Sequence, residues 1–197
     1  MNAIAGTAVI AAAATLGDFI WYSAGVRHTM TAGLLHGALL LAVLGGVLGA
    51  ASGQLVKGLP IGALAGIGGA LSYYGLILVM DSRTYGTAIP GAWVTMWLLL
   101  ATFEGRWLRA PERRRWAEIA IRGVVAAVAG GVAFALVRTI LWGRPPGEER
   151  NYLVQFAAWA FAWAPGLLAL TFERGARLIT GDVAEASTGP ALKREAA

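Results

Sequence analysis

Three ionisable side chains, Asp18, His36 and Arg138, stand inside long apolar stretches of this 197-residue chain. An ionisable group in hydrocarbon is costly unless it is paired or wet, so each is a candidate for chemistry. A carboxylate beside an imidazole can take up and release a proton, and an arginine or histidine can hold an anionic head. Counted along their stretches, all three lie within roughly 10 Å of one membrane surface at a rise of about 1.5 Å per residue. Tyr73, Tyr74, Trp93 and Trp159 fall at the same depth, with Tyr22, His28, Trp142 and Gln155 near them. The expected ligand-binding set is Asp18, His36, Arg138, Tyr73, Tyr74, Trp93 and Trp159, lining a shallow pocket that opens outward. A plainer arrangement stands beside it. Arg138 would snorkel to the interface along its own stem, Asp18 would pair with Arg138 or Arg27, and His36 would bond a carbonyl.

The elements that must position these residues are membrane helices. The chain is 57% hydrophobic and 14% charged, with 27 glycines, well below the quarter or so of charged residues usual in soluble domains. Its apolar residues gather into stretches near the 20 or so residues that a helix needs to cross hydrocarbon. The fold class is all-α: a polytopic membrane protein, a bundle of about six helices at about 3–22, 29–51, 59–80, 88–103, 118–141 and 152–172. These form one domain over 1–175, followed by a small, polar tail at 176–197 with the composition of a disordered segment. Pro60 and Pro90 suit the first turns of the third and fourth helices, where a missing N–H goes unnoticed. The opening run "MNAIAGTAVIAAAATLGDF" lacks a basic leader and reads as a retained first helix.

Basic residues set the orientation. Lys57, the arginines between 106 and 115, Arg174, Arg177, Lys193 and Arg194 fall on one set of alternate connections, and fewer basic residues fall on the other. The positive-inside bias then puts both termini in the cytoplasm. Heavy use of Ala and Arg, with lysine only at 57 and 193, suggests a bacterial source and hence a bacterial cytoplasmic membrane. Arg106, Arg109, Arg113, Arg114 and Arg115, between Trp107 and Trp116, are expected to meet lipid headgroups.

Two segments share a pattern: "AWVTMWLLLATFEGR" at 92–106 and "AWAFAWAPGLLALTFERGAR" at 158–177. The helices before them match as well, Gly62 on Gly123, Ala65 on Ala126, Gly69 on Gly130 and Tyr73 on Phe134. Tandem helical hairpins are the expected plan, one used by transporters. Trp93 and Trp97, like Trp159 and Trp163, share a helix face at a spacing of four. Glu104 and Glu173 reach the interface and can pair with nearby arginines. Pro165 and Gly166 in the second copy predict a bend in the last helix.

Gly45, Gly49 and Gly53, then Gly58, Gly62 and Gly66, recur every fourth residue, and Gly123 and Gly131 extend a similar stripe on the fifth helix. Such stripes let helix backbones approach closely, or serve a homo-oligomer or a partner membrane protein. The sequence has no cysteine and two histidines, and lacks His-Glu-x-x-His, Gly-x-Ser-x-Gly and a Walker loop. An enzyme is therefore disfavoured, and no metal or cofactor is expected. A positive charge confined to loops of a membrane bundle does not suit nucleic acid. Two readings remain: a small binding or transport protein for an amphiphile or small solute, and a non-catalytic scaffold that packs through its glycine faces. Membrane lipid is a partner in either.

Overall fold

The computed structural model describes residues 2–25, 29–80, 88–109, 114–141 and 152–171, except the side chains of 138–141. Six α-helices account for nearly all of them: α1 (Ala3–Ser23), α2 (Met30–Ala51), α3 (Leu55–Val79), α4 (Ala88–Phe103), α5 (Trp116–Leu141) and α6 (Tyr152–Thr171). Glu104–Leu108 continues α4 as a π-helical turn. Five of the six are long and apolar enough to cross a membrane, which makes this a multi-pass helical bundle. The exception is α4, 16 residues long and lengthened by that π turn. Arg113 and the tail at 176–197 lie outside the described residues, as do the side chain of Arg138 and the residues His28, Trp142 and Glu173.

Local chemistry starts and stops these helices. Asn2 caps α1 by accepting the Ala5 N–H at 2.8 Å, and Thr29 caps α2 by accepting the Ala32 N–H at 3.2 Å. Between α2 and α3 the chain reverses through Gly53, whose φ of 70° lies in the left-handed region that glycine enters without a Cβ clash. The sequence places Gly53 in a packing stripe. Instead it forms the turn, and a methyl group there would meet nothing within 4 Å. The third helix starts at Leu55, about a turn before the expected residue 59, so Pro60 lies inside it. Only the Val56 carbonyl loses its donor, and Val56 and Pro60 are both on the exposed side. In α4, Pro90 stands in the first turn.

Each helix packs on the next in sequence, and α1 returns to pack on α6, closing a ring. One apolar core runs through it, with Ile10, Leu44, Trp97, Leu100, Trp163, Leu167 and Leu170 fully enclosed. The tightest seam joins α2 and α3. A methyl group on Gly45 would overlap the Gly58 carbonyl, and one on Gly62 would overlap the Leu41 carbonyl. Gly66 meets Gly37 in the same way, and Gly49 meets the Gln54 carbonyl and Gly58. The glycine faces of α2 and α3 are thus spent on each other, giving close dispersion contact. On α5, Gly123 packs against Leu98 and Ala101. Gly131 has only ordinary contact with Trp93; its neighbour Gly130 makes the closer approach, to the Ala162 carbonyl and Trp93. The last helix continues through Pro165 without interruption.

Candidate functional site

The ring closure between α1 and α6 builds a polar contact inside the spans. Asp18 is half-buried in α1, about a turn and a half before the helix ends. Its Oδ2 accepts two hydrogen bonds from α6, from Gln155 Nε2 at 2.5 Å and from the Trp159 indole N–H at 2.7 Å. The donors are one helical turn apart, so they fall on one face of α6 and converge on a single oxygen. Gln155 is polar in an apolar span, which is the signal that could have marked it; only the closure of the ring makes it a partner of Asp18.

The other expected site residues are placed separately. The His36 ring on α2 lies edge-on to Trp21, centroids 5.2 Å apart, and so close to Gly17 that a methyl group there would be 3.0 Å from His36 Cε1. It feels the charge of Asp18 but makes no ion pair with it among the described residues. Tyr74 covers Gly33 and donates to the Thr29 carbonyl at 3.0 Å, and Tyr73 stands edge-on to Tyr74. Both tyrosines therefore belong to the α2–α3 seam. Among the described residues, His36 and the two tyrosines share a level with Asp18 but make their contacts elsewhere. Helix neighbours that are far apart in sequence decide which seam each faces.

Trp93 and Trp159 meet in an aromatic cluster. Phe134 of α5 stacks on both, at 5.5 Å from Trp93 and 5.6 Å from Trp159. Trp163 lies 4.9 Å from Trp93, 5.8 Å from Trp97 and 6.2 Å from Trp159. Trp97 rests on Gly166, where any side chain would overlap its indole. The indole N–H groups of Trp93, Trp97 and Trp163 find no acceptor among the described residues. Ring contact and burial therefore hold the cluster, and Trp159 connects it to Asp18.

A cavity of about 300 Å³ opens along the same α1–α6 seam, lined by Ala3, Ile4, Thr7 and Ala8 of α1 and by Phe156, Ala160, Ala164 and Leu168 of α6. The α6 residues recur every fourth position, and the two alanines leave a furrow between Phe156 and Leu168. The furrow is about 18 Å long at 1.5 Å per residue. On α6 it reaches Phe156, next in sequence to Gln155, and on α1 its lining ends at Ala8, before Asp18. This groove is apolar and lies between the same two helices as the Asp18 contact.

At the opposite end of the bundle the arginines divide. Glu104, 4% exposed, holds Arg109 at 2.5 Å and Arg114 at 3.2 Å. Arg114 also pairs with Glu118 and donates to the Leu170 carbonyl. Arg122 bridges Glu118 and the Ala169 carbonyl, both at 3.0 Å. Arg109 and Arg114, expected at lipid headgroups, are thus drawn inward. Two carboxylates and the free carbonyls at the end of α6 satisfy them better than an open interface. Arg115 is exposed, and Arg106 is half-buried, lying 4.8 Å over the exposed Trp116 ring.

Among the described residues, no group of three or more His, Cys, Asp or Glu is arranged to hold a metal. Compared with known proteins, the chain matches no protein-family model, no curated protein and no solved structure.

Proposed function

We propose that this multi-pass protein binds an amphiphile at the α1–α6 seam, with the apolar tail along the Ala160–Ala164 furrow and the polar head at Asp18 and Gln155. The observation that carries this reading is that a half-buried carboxylate and an apolar groove lie between the same two helices, the groove reaching Phe156, next in sequence to Gln155. Inert packing calls for neither an aspartate in a span nor an unfilled furrow. The scaffold reading relied on glycine faces that α2 and α3 occupy mutually. Filling the furrow with Ala160→Trp should abolish retention of the amphiphile in purified protein while the bundle stays folded. Equal retention by this variant would contradict the reading.

The rest of the setting belongs to the same proposal. The bundle sits in a bacterial cytoplasmic membrane with the arginine-bearing end in the cytoplasm, where Arg106 and Arg115 meet anionic headgroups beside Trp107 and Trp116. The α3–α4 and α5–α6 hairpins are tandem copies. Thr102 and Thr171 of the two matching segments each donate to the carbonyl four residues earlier, at 2.8 and 2.7 Å, and Trp97 and Trp163 are both enclosed. Movement of the amphiphile between leaflets along the seam would make the protein a transporter; holding it would make it a binding protein.

A further inference from the structure

The chemistry at the head of the seam also selects what it accepts. Asp18 Oδ2 is occupied by two N–H donors from α6. An ionised carboxylate offers about four acceptor positions on its two oxygens and no donor. Asp18 Oδ1 takes no hydrogen bond and Asp18 enters no ion pair among the described residues. Gln155 donates one of its two amide N–H groups to Asp18 and keeps its side-chain carbonyl oxygen as a second acceptor beside the first. The Trp159 indole has its N–H committed to Asp18 as well. The site therefore presents to a newcomer a carboxylate oxygen and an amide carbonyl, with one neutral amide N–H as the remaining donor.

Among the described residues, His36 is the titratable group that feels the charge of Asp18. Its ring is packed between Gly17 and Trp21, and it makes no direct ion pair with the carboxylate. An anionic head placed here would meet a like charge and two lone-pair oxygens, against a single neutral amide N–H. A primary ammonium brings three donors and the opposite charge.

Resting on the seam reading above, we infer that the amphiphile bound between α1 and α6 is a cationic one, a primary amine on a single apolar chain, recognised by Asp18 Oδ1 and the Gln155 side-chain carbonyl. The furrow sets the tail. Its length of about 18 Å suits one extended chain of a dozen or so carbons, and its lining from Ala3 to Leu168 carries a single hydroxyl, that of Thr7. The sequence pointed to the reverse polarity, because Arg138 and His36 at the same depth suggest an anion site. The helix ring instead gives the seam to Asp18.

The test uses three probes of equal chain length: dodecylamine, dodecanol and laurate. Each is titrated into the full-length protein released from phosphatidylcholine nanodiscs, and bound copies are counted by native mass spectrometry. Dodecylamine should bind roughly tenfold or more tightly than dodecanol, the gain a close charge pair supplies, with laurate weakest. Asp18→Asn keeps an acceptor for Gln155 and Trp159 and should bring the amine down to the level of the alcohol. Ala160→Trp should remove binding of all three probes. If laurate matches or exceeds the amine while Ala160→Trp still blocks it, the seam stands and the inference about its head is overturned. If Ala160→Trp changes nothing, the seam itself is not the site and both readings fall.

Discussion

Trp159 donates its indole N–H to Asp18 Oδ2 at 2.7 Å across 141 residues of sequence, and this bond, with that of Gln155, fastens the last helix to the first. Removing the acceptor strands two donors in a span, at a cost of about 1–3 kcal/mol for an unsatisfied polar group. Asp18→Ala should therefore lower stability in detergent by about that amount, whereas Asp18→Asn should cost under about 1 kcal/mol because an oxygen remains. Equal losses in chemical unfolding would show that these bonds do not hold the seam.

Trp97 and Gly166 fit only as a pair, since a Cβ on Gly166 would lie inside the Trp97 indole. Gly166→Ala should destabilise by about 1–3 kcal/mol through overpacking. Trp97→Leu should make the alanine tolerable, so the double variant loses less than the sum of the singles. Additive losses would separate the two residues.

Glu104 is the shared anion of Arg109 and Arg114. Glu104→Gln leaves Arg114 enclosed with reduced compensation, and breaking one side of a buried pair costs about 3–5 kcal/mol. Glu104→Met with Arg114→Met should recover much of that stability. A double variant as unstable as Glu104→Gln would contradict the assignment.

The outward arginines should behave differently. Arg106→Gln with Arg115→Gln should leave stability within about 0.5 kcal/mol while reducing the co-purification of phosphatidylglycerol over phosphatidylcholine. Unchanged lipid selectivity would remove the headgroup contact from the account.

Glycines offer a graded comparison. Gly62→Ala drives a methyl group into the Leu41 carbonyl and should cost about 3 kcal/mol or more, at or beyond the upper end of overpacking. Gly53→Ala should cost about 1–2 kcal/mol from its left-handed backbone alone. Gly75, with open space around its Cβ position, should gain up to about 1 kcal/mol on becoming alanine. A different order in thermal unfolding would disprove the packing described for α2 and α3.

What the sequence conveyed follows from how local each signal is. Apolar length reveals helices without help from the rest of the chain, so the bundle is legible residue by residue. Gly45, Gly58 and Gly62 likewise announce a close approach because few other residues allow one. The partner of Asp18 does not read out this way. Depth can be counted along a helix, but facing depends on which helices are neighbours, and a single sequence carries no direct record of α1 meeting α6. The same gap hides the partner of Arg114, which Glu104 at the start of the π turn holds in a buried pair. Gly53 went astray for a simpler reason: spacing of four continues past the end of a helix as readily as within it.

The measurement closest to the central claim is a structure of the protein determined in a lipid bilayer, examined for non-protein density along the outer face of the bundle. The account predicts one elongated feature between α1 and α6, following Ala160 and Ala164 and ending within hydrogen-bonding distance of Asp18 and Gln155. A seam filled only by the same disordered lipid as every other face, or Asp18 turned away from Gln155 and Trp159, would contradict it.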